Sequence, residues 1–194
     1  MGGYGTNAIQ FLIQTLFGLY LIAVMLRVLL QITRADFYNP VSQFLVKVTN
    51  PPLIPLRRII PGFMGIDLAA IVLMIIIKMV EIFLIVLIKG ASVSVSGIVV
   101  LSIAELLRLL INVYFFAILI QVVISWINPG AYNPALSLLY SINEPLLRRA
   151  RRLIPPISGF DLSPIVVIIL LQLISILFIQ PIADLGSNLA IGRL

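Results

Sequence analysis

Four acidic and basic side chains in this sequence are spaced so that chemistry could follow, and each spacing limits what that chemistry is. Asp67 and Asp161 stand at matching places in two copies of one motif, and Lys78 lies three residues before Glu81 in a long apolar run. Two carboxylates do acid–base work when they share a proton, which requires them roughly 3 Å apart inside a site. Asp67 and Asp161 instead precede long apolar runs. An aspartate there accepts hydrogen bonds from the first backbone N–H groups of a helix, so capping is the expected role. Lys78 and Glu81 share one helix face at this spacing and are expected to form a buried ion pair. The 194 residues contain no cysteine and no histidine. That excludes thiolate chemistry, disulfides and Ser–His catalysis, and it removes a common metal ligand. No phosphate-binding glycine loop is present either. The expectation is a protein that is not an enzyme and carries no cofactor.

The arginines are the other chemistry-bearing group. Arg57-Arg58 in one place, and Arg148, Arg149, Arg151 and Arg152 in another, concentrate positive charge in two short stretches. Such stretches hold a loop on the cytoplasmic side of a membrane. They also attract anionic lipid headgroups, at about 1 kcal/mol per basic residue near the surface. The net charge of +6 is not accompanied by an aromatic stacking pattern, so nucleic acid is not an expected partner.

Both stretches belong to one repeated segment. Shifting Asn39–Val72 by 94 residues aligns it with Asn133–Val166 without a gap, and 14 of 34 columns are identical. A repeat this long is a duplicated half rather than a solenoid unit. Two modules are expected, 1–97 and 98–194. In each, Asn-Pro (Asn39-Pro40, Asn133-Pro134) reads as a helix start, since asparagine caps and proline is tolerated at the first helical position. An interfacial helix should follow. Pro51-Pro52 in one copy and Pro145 in the other are expected to end it. Pro61 and Pro155 follow the arginines, Gly65 and Gly159 permit a tight turn, and Pro164 falls in the first turn of the next helix.

What positions these residues is a membrane. The chain is 61% hydrophobic and 10% charged, against roughly 25% charged in soluble domains, and its mean hydropathy is +1.19. Four runs suit helices crossing about 30 Å of hydrocarbon: residues 11–32, 68–88, 106–127 and 162–182. The expected fold is an all-α membrane protein of four transmembrane helices. They form two parallel repeats, each a helix pair joined by a proline-punctuated, interfacial or re-entrant basic segment. Lysine and arginine counts put both basic segments in the cytoplasm and both termini outside.

Polar residues inside the spans respect the same repeat. Arg27 and Gln31 align with Gln121 and Ser125, and Lys78 and Glu81 align with Gln172 and Ser175. Lys78 lies near the expected midplane, whereas Arg27 is five residues from a span end and within snorkelling reach. Two readings stand. The stripes join helices by hydrogen bonds, or they form a hydrated polar seam through which an ion or proton moves.

These motifs resemble the YggT family of bacterial and plastid membrane proteins. Its repeat is a span pair bracketing Asn-Pro, Pro, Arg-Arg-x-x-Pro and Gly-x-Asp-Leu-[Ser/Ala]-Pro. The second copy matches with Asn133-Pro134, Pro145, Arg151-Arg152-Leu153-Ile154-Pro155 and Gly159-Phe160-Asp161-Leu162-Ser163-Pro164. The first matches with Asn39-Pro40, Pro51, Arg57-Arg58-Ile59-Ile60-Pro61 and Gly65-Ile66-Asp67-Leu68-Ala69, with Ala70 in place of the final proline. The resemblance implies an inner-membrane protein linked to osmotic or ion tolerance, to division and nucleoid distribution, or in plastids to assembly of cytochrome complexes. It implies no agreed biochemical activity. The expected function is a scaffold, assembly or stress-tolerance factor acting through its basic cytoplasmic segments. A channel or transport accessory is the alternative. The expected partners are anionic lipids and further copies of the chain, or a larger membrane complex.

Overall fold

The structure, a computed structural model, describes residues 3–63, 65–128, 130, 133–155 and 161–191. Every named element among them is helical: α1 (Tyr4–Ile32), α2 (Pro40–Ile59), α3 (Leu68–Ile88), α4 (Val95–Ile127), α5 (Pro134–Leu153), α6 (Ser163–Ile174), a π-helical turn (Ser175–Ile179) and α7 (Gln180–Ile191). The last three run on as one rod. α1, α3, α4 and that rod are each long and apolar enough to cross a membrane, so the chain is a multi-pass membrane protein. Within the most apolar stretch of each span only 17% of residues are buried inside the protein. Most of their hydrocarbon is therefore left for lipid, and the bundle is thin.

The observed spans are longer than the sequence runs. α1 has 29 residues and α4 has 33, about 43 and 50 Å at 1.5 Å per residue, where about 20 residues suffice to cross. Helical hydrogen bonding continues through the polar flanks. At the start of α4 the Ser94 side chain accepts the Gly97 N–H at 3.1 Å.

Both Asn-Pro pairs start helices. The side chain of Asn39 accepts the Val41 N–H at 2.9 Å, and that of Asn133 accepts the Leu136 N–H at 2.9 Å. The expected ends are wrong. α2 runs through Pro51, Pro52 and Pro55, and α5 runs through Pro145. Each interior proline removes one N–H from the ladder, leaving the carbonyls of Lys47, Val48, Pro51 and Ser141 without that donor. Lys47, Val48 and Pro51 lie on the outward side, where solvent can serve instead, and Ser141 is half-buried. Downstream, Leu53 and Leu147 are wholly buried at 0% and 1% exposed, and that packing carries each helix past its proline. The true ends are Ile60 and Ile154, both extended and each followed by the proline, Pro61 or Pro155, that disfavours helical geometry before it.

Each module has its own core. α2 turns Ser42, Leu45, Thr49 and Leu53 inward against α1 and α3, and α5 turns Leu138, Ile142 and Leu147 inward. Leu106 of α4 and Leu138 and Ile142 of α5 belong to the core of the first module, so the halves are not separate. α2 and α5 meet at one end of the bundle, where the Asn39 amide donates to Pro134 O at 2.6 Å and to Ser137 Oγ at 3.3 Å. At the other end the 89–94 turn meets α7, with the Ser94 hydroxyl donating to Leu189 O at 2.8 Å. The repeats are thus parallel.

α4 and α7 touch through small residues. A Cβ on Gly97 would sit on the backbone of Ala190, and one on Gly186 would press on Leu101 at 2.9 Å. Close backbone approach of this kind is how helices associate without a hydrophobic driving force. Gly97→Val should therefore lower the melting temperature in detergent, at an overpacking cost of about 1–3 kcal/mol or more. Gly18→Ala, where an added methyl meets nothing within 4 Å, should not lower it. Equal melting temperatures for the two variants would refute this packing.

Candidate functional site

The polar residues singled out from sequence do not meet in one seam. They separate into a layer beside the amphipathic helices, a deeper layer of ion pairs, and two surface positions.

In the first layer an opposite-charge clasp ties each amphipathic helix to the span that follows. Arg57 Nε donates to Asp67 Oδ2 at 3.1 Å, and its Nη2 pairs with the same oxygen. Arg151 Nε donates to Asp161 Oδ2 at 2.9 Å, and its Nη1 reaches Glu144 at 3.1 Å. Asp67 caps α3 as expected, its Oδ1 accepting the Ala70 N–H at 3.2 Å, whereas Asp161 stands one residue before the α6 N-cap Leu162 and its Oδ1 accepts the Ser163 N–H at 2.9 Å. Gly65 supports the first clasp by taking φ +83° in the turn, a conformation glycine adopts without a Cβ penalty. Its counterpart Gly159 lies outside the described residues. Pro164 is buried in the first turn of α6.

Burial pulls the Arg151 guanidinium down, but hydrogen bonds to Asp161 and Glu144 outweigh it and raise the group above its ordinary value. Partial burial would raise the Asp161 carboxyl. The neighbouring Ser163 hydroxyl, the Arg151 guanidinium and the Ser163 N–H more than offset that and hold it below the usual carboxylate range. Ser163 Oγ is close without forming a hydrogen bond, so Arg151 and the backbone N–H are the directional contacts.

A second joint repeats within this layer. Arg27 does not snorkel. It is 6% exposed and points at α2, its Nη1 donating to Thr49 Oγ1 at 2.5 Å and to Val46 O at 3.4 Å. Thr49 can accept because its own proton goes to Leu45 O at 2.6 Å. At the equivalent place in the second module the Asn143 amide donates to Gln121 Oε1 at 2.7 Å. Gln31 donates to Gly65 O at 3.2 Å. Arg27, Gln31, Arg57 and Asp67, with Phe37, Val46 and Gly62, line an open cavity of about 500 Å³.

Deeper in the bundle Lys78 pairs with Glu81 at 2.8 Å, with side chains 16% and 4% exposed. Glu81 Oε2 is buried with no hydrogen-bond partner among the described residues. Beside them Arg108 pairs with Glu105 at 2.7 Å and reaches Gln180 Oε1 at 3.0 Å. A cavity of about 120 Å³ lies among Lys78, Glu105, Arg108 and Asn112. Ser125 and Gln172 face outward and Ser175 is half-buried. The Ser175 carbonyl takes the Gln180 N–H in the π-helical turn.

The remaining arginines stand apart. Arg58, Arg148, Arg149 and Arg152 are exposed and make no ion pair among the described residues. Pro145, Arg148, Arg149 and Arg152 line a surface hollow of about 280 Å³. No group of three or more acidic side chains able to hold a metal ion occurs among the described residues.

Sequence reasoning missed both clasps, the Thr49 and Asn143 partners, and the Asn39 bridge. The available signal was that arginine and aspartate recur ten residues apart in both copies, across a turn too short to separate them.

The model of the CCB3/YggT family matches this chain twice, over 6–88 and 100–182. An uncharacterised protein of Pseudomonas aeruginosa is 49% identical over 185 residues, covering 94% of this chain and 93% of its own. The uncharacterised protein YggT of Escherichia coli is 36% identical over 189 residues, 96% of this chain and 97% of its own. The uncharacterised protein ycf19 of Guillardia theta is 34% identical over 79 residues, 40% of this chain but 82% of its own, about one module. No solved structure matches.

Two outcomes follow from these geometries. Lys78→Met leaves the Glu81 carboxylate buried without a partner and should cost about 3–5 kcal/mol of stability. Lys78→Met/Glu81→Leu should recover most of it in thermal melts, and a single variant as stable as wild type would contradict the pair. For the second clasp the Asp161 carboxyl is depressed, so its contribution is full above the ordinary range near about pH 4 and is lost as pH falls through its lower folded value. Amide protection factors at the start of α6, corrected for the intrinsic slowing of exchange in acid, should therefore fall on acidification in the wild type. In Asp161→Asn they should already be low at neutral pH and vary little.

Proposed function

The chain belongs to the CCB3/YggT family, and on that premise we propose that it is a non-enzymatic scaffold of the bacterial inner membrane. In this reading α2 and α5 lie against the cytoplasmic leaflet, the termini and the 89–94 turn lie outside, and the exposed arginines dock anionic headgroups or an acidic partner. It works as a homo-oligomer or in a larger complex, in assembly or in osmotic and ion tolerance. The observation that carries the reading is the division of labour among the arginines. Arg57 and Arg151 are held in clasps, whereas Arg148, Arg149 and Arg152 make no ion pair among the described residues and gather around one hollow. Fold alone would be served by the clasped pair. The exposed set adds charge without adding a contact, and a basic surface beside apolar spans attracts an anionic leaflet. Trp126 and Tyr140, 78% and 42% exposed near the same end, suit a headgroup-level aromatic belt.

A conduit is the second reading, and the deep layer favours it. An unpartnered carboxylate oxygen on Glu81 and a cavity beside Lys78 are what a hydrated path would need. Ionisable groups inside spans often mark such paths.

One comparison separates the two. In a deletion strain with a salt-tolerance defect, Arg148→Gln/Arg149→Gln/Arg152→Gln should fail to complement, while the stability-restored Lys78→Met/Glu81→Leu, expressed to the same level, should complement. The opposite pattern, with conductance in proteoliposomes that Lys78→Met/Glu81→Leu abolishes, would replace the scaffold by the conduit. Single cysteines at Arg58 and Arg152 should label from the cytoplasm and one at Lys89 from outside.

A further inference from the structure

The two modules hold the same joint with different charge, and that difference has a use. Between span and amphipathic helix the second module places a neutral pair, Gln121 with Asn143, at 2.7 Å. The first places Arg27 with Thr49 at the same 22-residue separation. The neutral version shows that joining these elements does not require a cation. Yet Arg27 is 6% exposed, and a guanidinium keeps its charge at any accessible pH. Burying it is costly unless an anion compensates.

No carboxylate within the described residues forms an ion pair with it. Asp67 shares the cavity, but both its oxygens are engaged, Oδ2 by Arg57 and Oδ1 by the Ala70 N–H. Arg27 spends Nη1 on Thr49 and Val46, and its Nε and Nη2 make no hydrogen bond among the described residues. Arg27, Arg57 and Asp67 therefore sum to one positive charge around a cavity of about 500 Å³. Phe37 and Val46 give it an apolar wall, and Gln31 is held by Gly65 O.

We propose that this cavity, between α1, α2 and the turn leading to α3, binds one monoanionic phosphate group, with Arg27 and Arg57 as its cationic contacts. A guanidinium fork matches phosphate oxygens in two parallel hydrogen bonds. A single negative charge neutralises the cluster, and the volume falls in the range that encloses a small organic group. The phosphate is supplied either by the headgroup of an anionic lipid or by a free phosphate ion. This site uses residues distinct from the exposed arginines of α5, so it stands or falls independently of the docking role proposed for them.

The test is native mass spectrometry and thermal melting of the full chain in detergent, titrated with phosphatidylglycerol, phosphatidylcholine or inorganic phosphate. Wild type should retain one phosphatidylglycerol per chain in preference to phosphatidylcholine. Arg27→Gln, which installs the residue of the second module, should weaken that binding about tenfold, the loss expected for a charge-assisted hydrogen bond. Arg27→Lys should keep more of it, and Arg148→Gln/Arg149→Gln/Arg152→Gln should leave the single tight site unchanged. Stabilisation by inorganic phosphate that depends on Arg27, without retained lipid, supports the site and assigns it to the free ion. Binding in Arg27→Gln equal to wild type overturns the proposal. So does a wild-type chain that neither retains phosphatidylglycerol preferentially nor is stabilised by phosphate, a result that needs no variant to fold.

Discussion

An ion pair spanning ten residues, formed once in each half, sets the geometry on which the remainder of this protein rests. Arg57 and Arg151 close the last turn of an amphipathic helix, and Asp67 and Asp161 open the span that follows. In the first half this contact works beside the Gln31 amide, which donates to Gly65 O in the same turn. Each carboxylate serves two masters, accepting from a guanidinium and from the first N–H groups of the next helix. The clasp fixes the angle at which an interfacial helix leaves its span. From that angle follow the inward face of α2 and α5, the small contact area between them, and the outward display of the other arginines.

The burial pattern explains why the clasps sit where they do. The spans supply most of both cores, yet most of their apolar stretches face outward, and apolar packing within the bilayer gives little preference among arrangements when lipid is equally apolar. The amphipathic helices are different, because their inner faces carry Leu45, Leu53, Leu138 and Leu147 against the bundle and polar groups line the boundary where they meet the spans. Specificity accordingly comes from polar contacts at that boundary: Arg27 with Thr49, Asn143 with Gln121, Asn39 with Pro134 and Ser137.

The architecture was legible from sequence because hydropathy and duplication are one-dimensional signals. The four spans, the two parallel modules, both asparagine caps and the Lys78–Glu81 pair all follow from spacing along the chain. The ends of α2 and α5 were misread at Pro51, Pro52 and Pro145, since local backbone preference was outweighed by packing of residues further along. The site was less legible. Arg27 looked like a snorkelling residue because its distance from the span end is visible in sequence, whereas Thr49, its partner, becomes a neighbour only once α2 folds back. Gln172 and Ser125 repeat the registers of Lys78 and Gln31, yet they face outward. Register along a helix does not say which side the bundle occupies.

The shared core has a consequence for symmetry. Leu138 and Ile142 from the second half complete the interior of the first, an arrangement that two identical single-module chains would have to build by pairing. Such a pair is obliged to carry the same residue at both equivalent joints. Fusing the halves into one polypeptide lifts that obligation, and here it has been used: arginine stands at one joint and glutamine at the other, so a single chain is charged on one flank and neutral on its mirror.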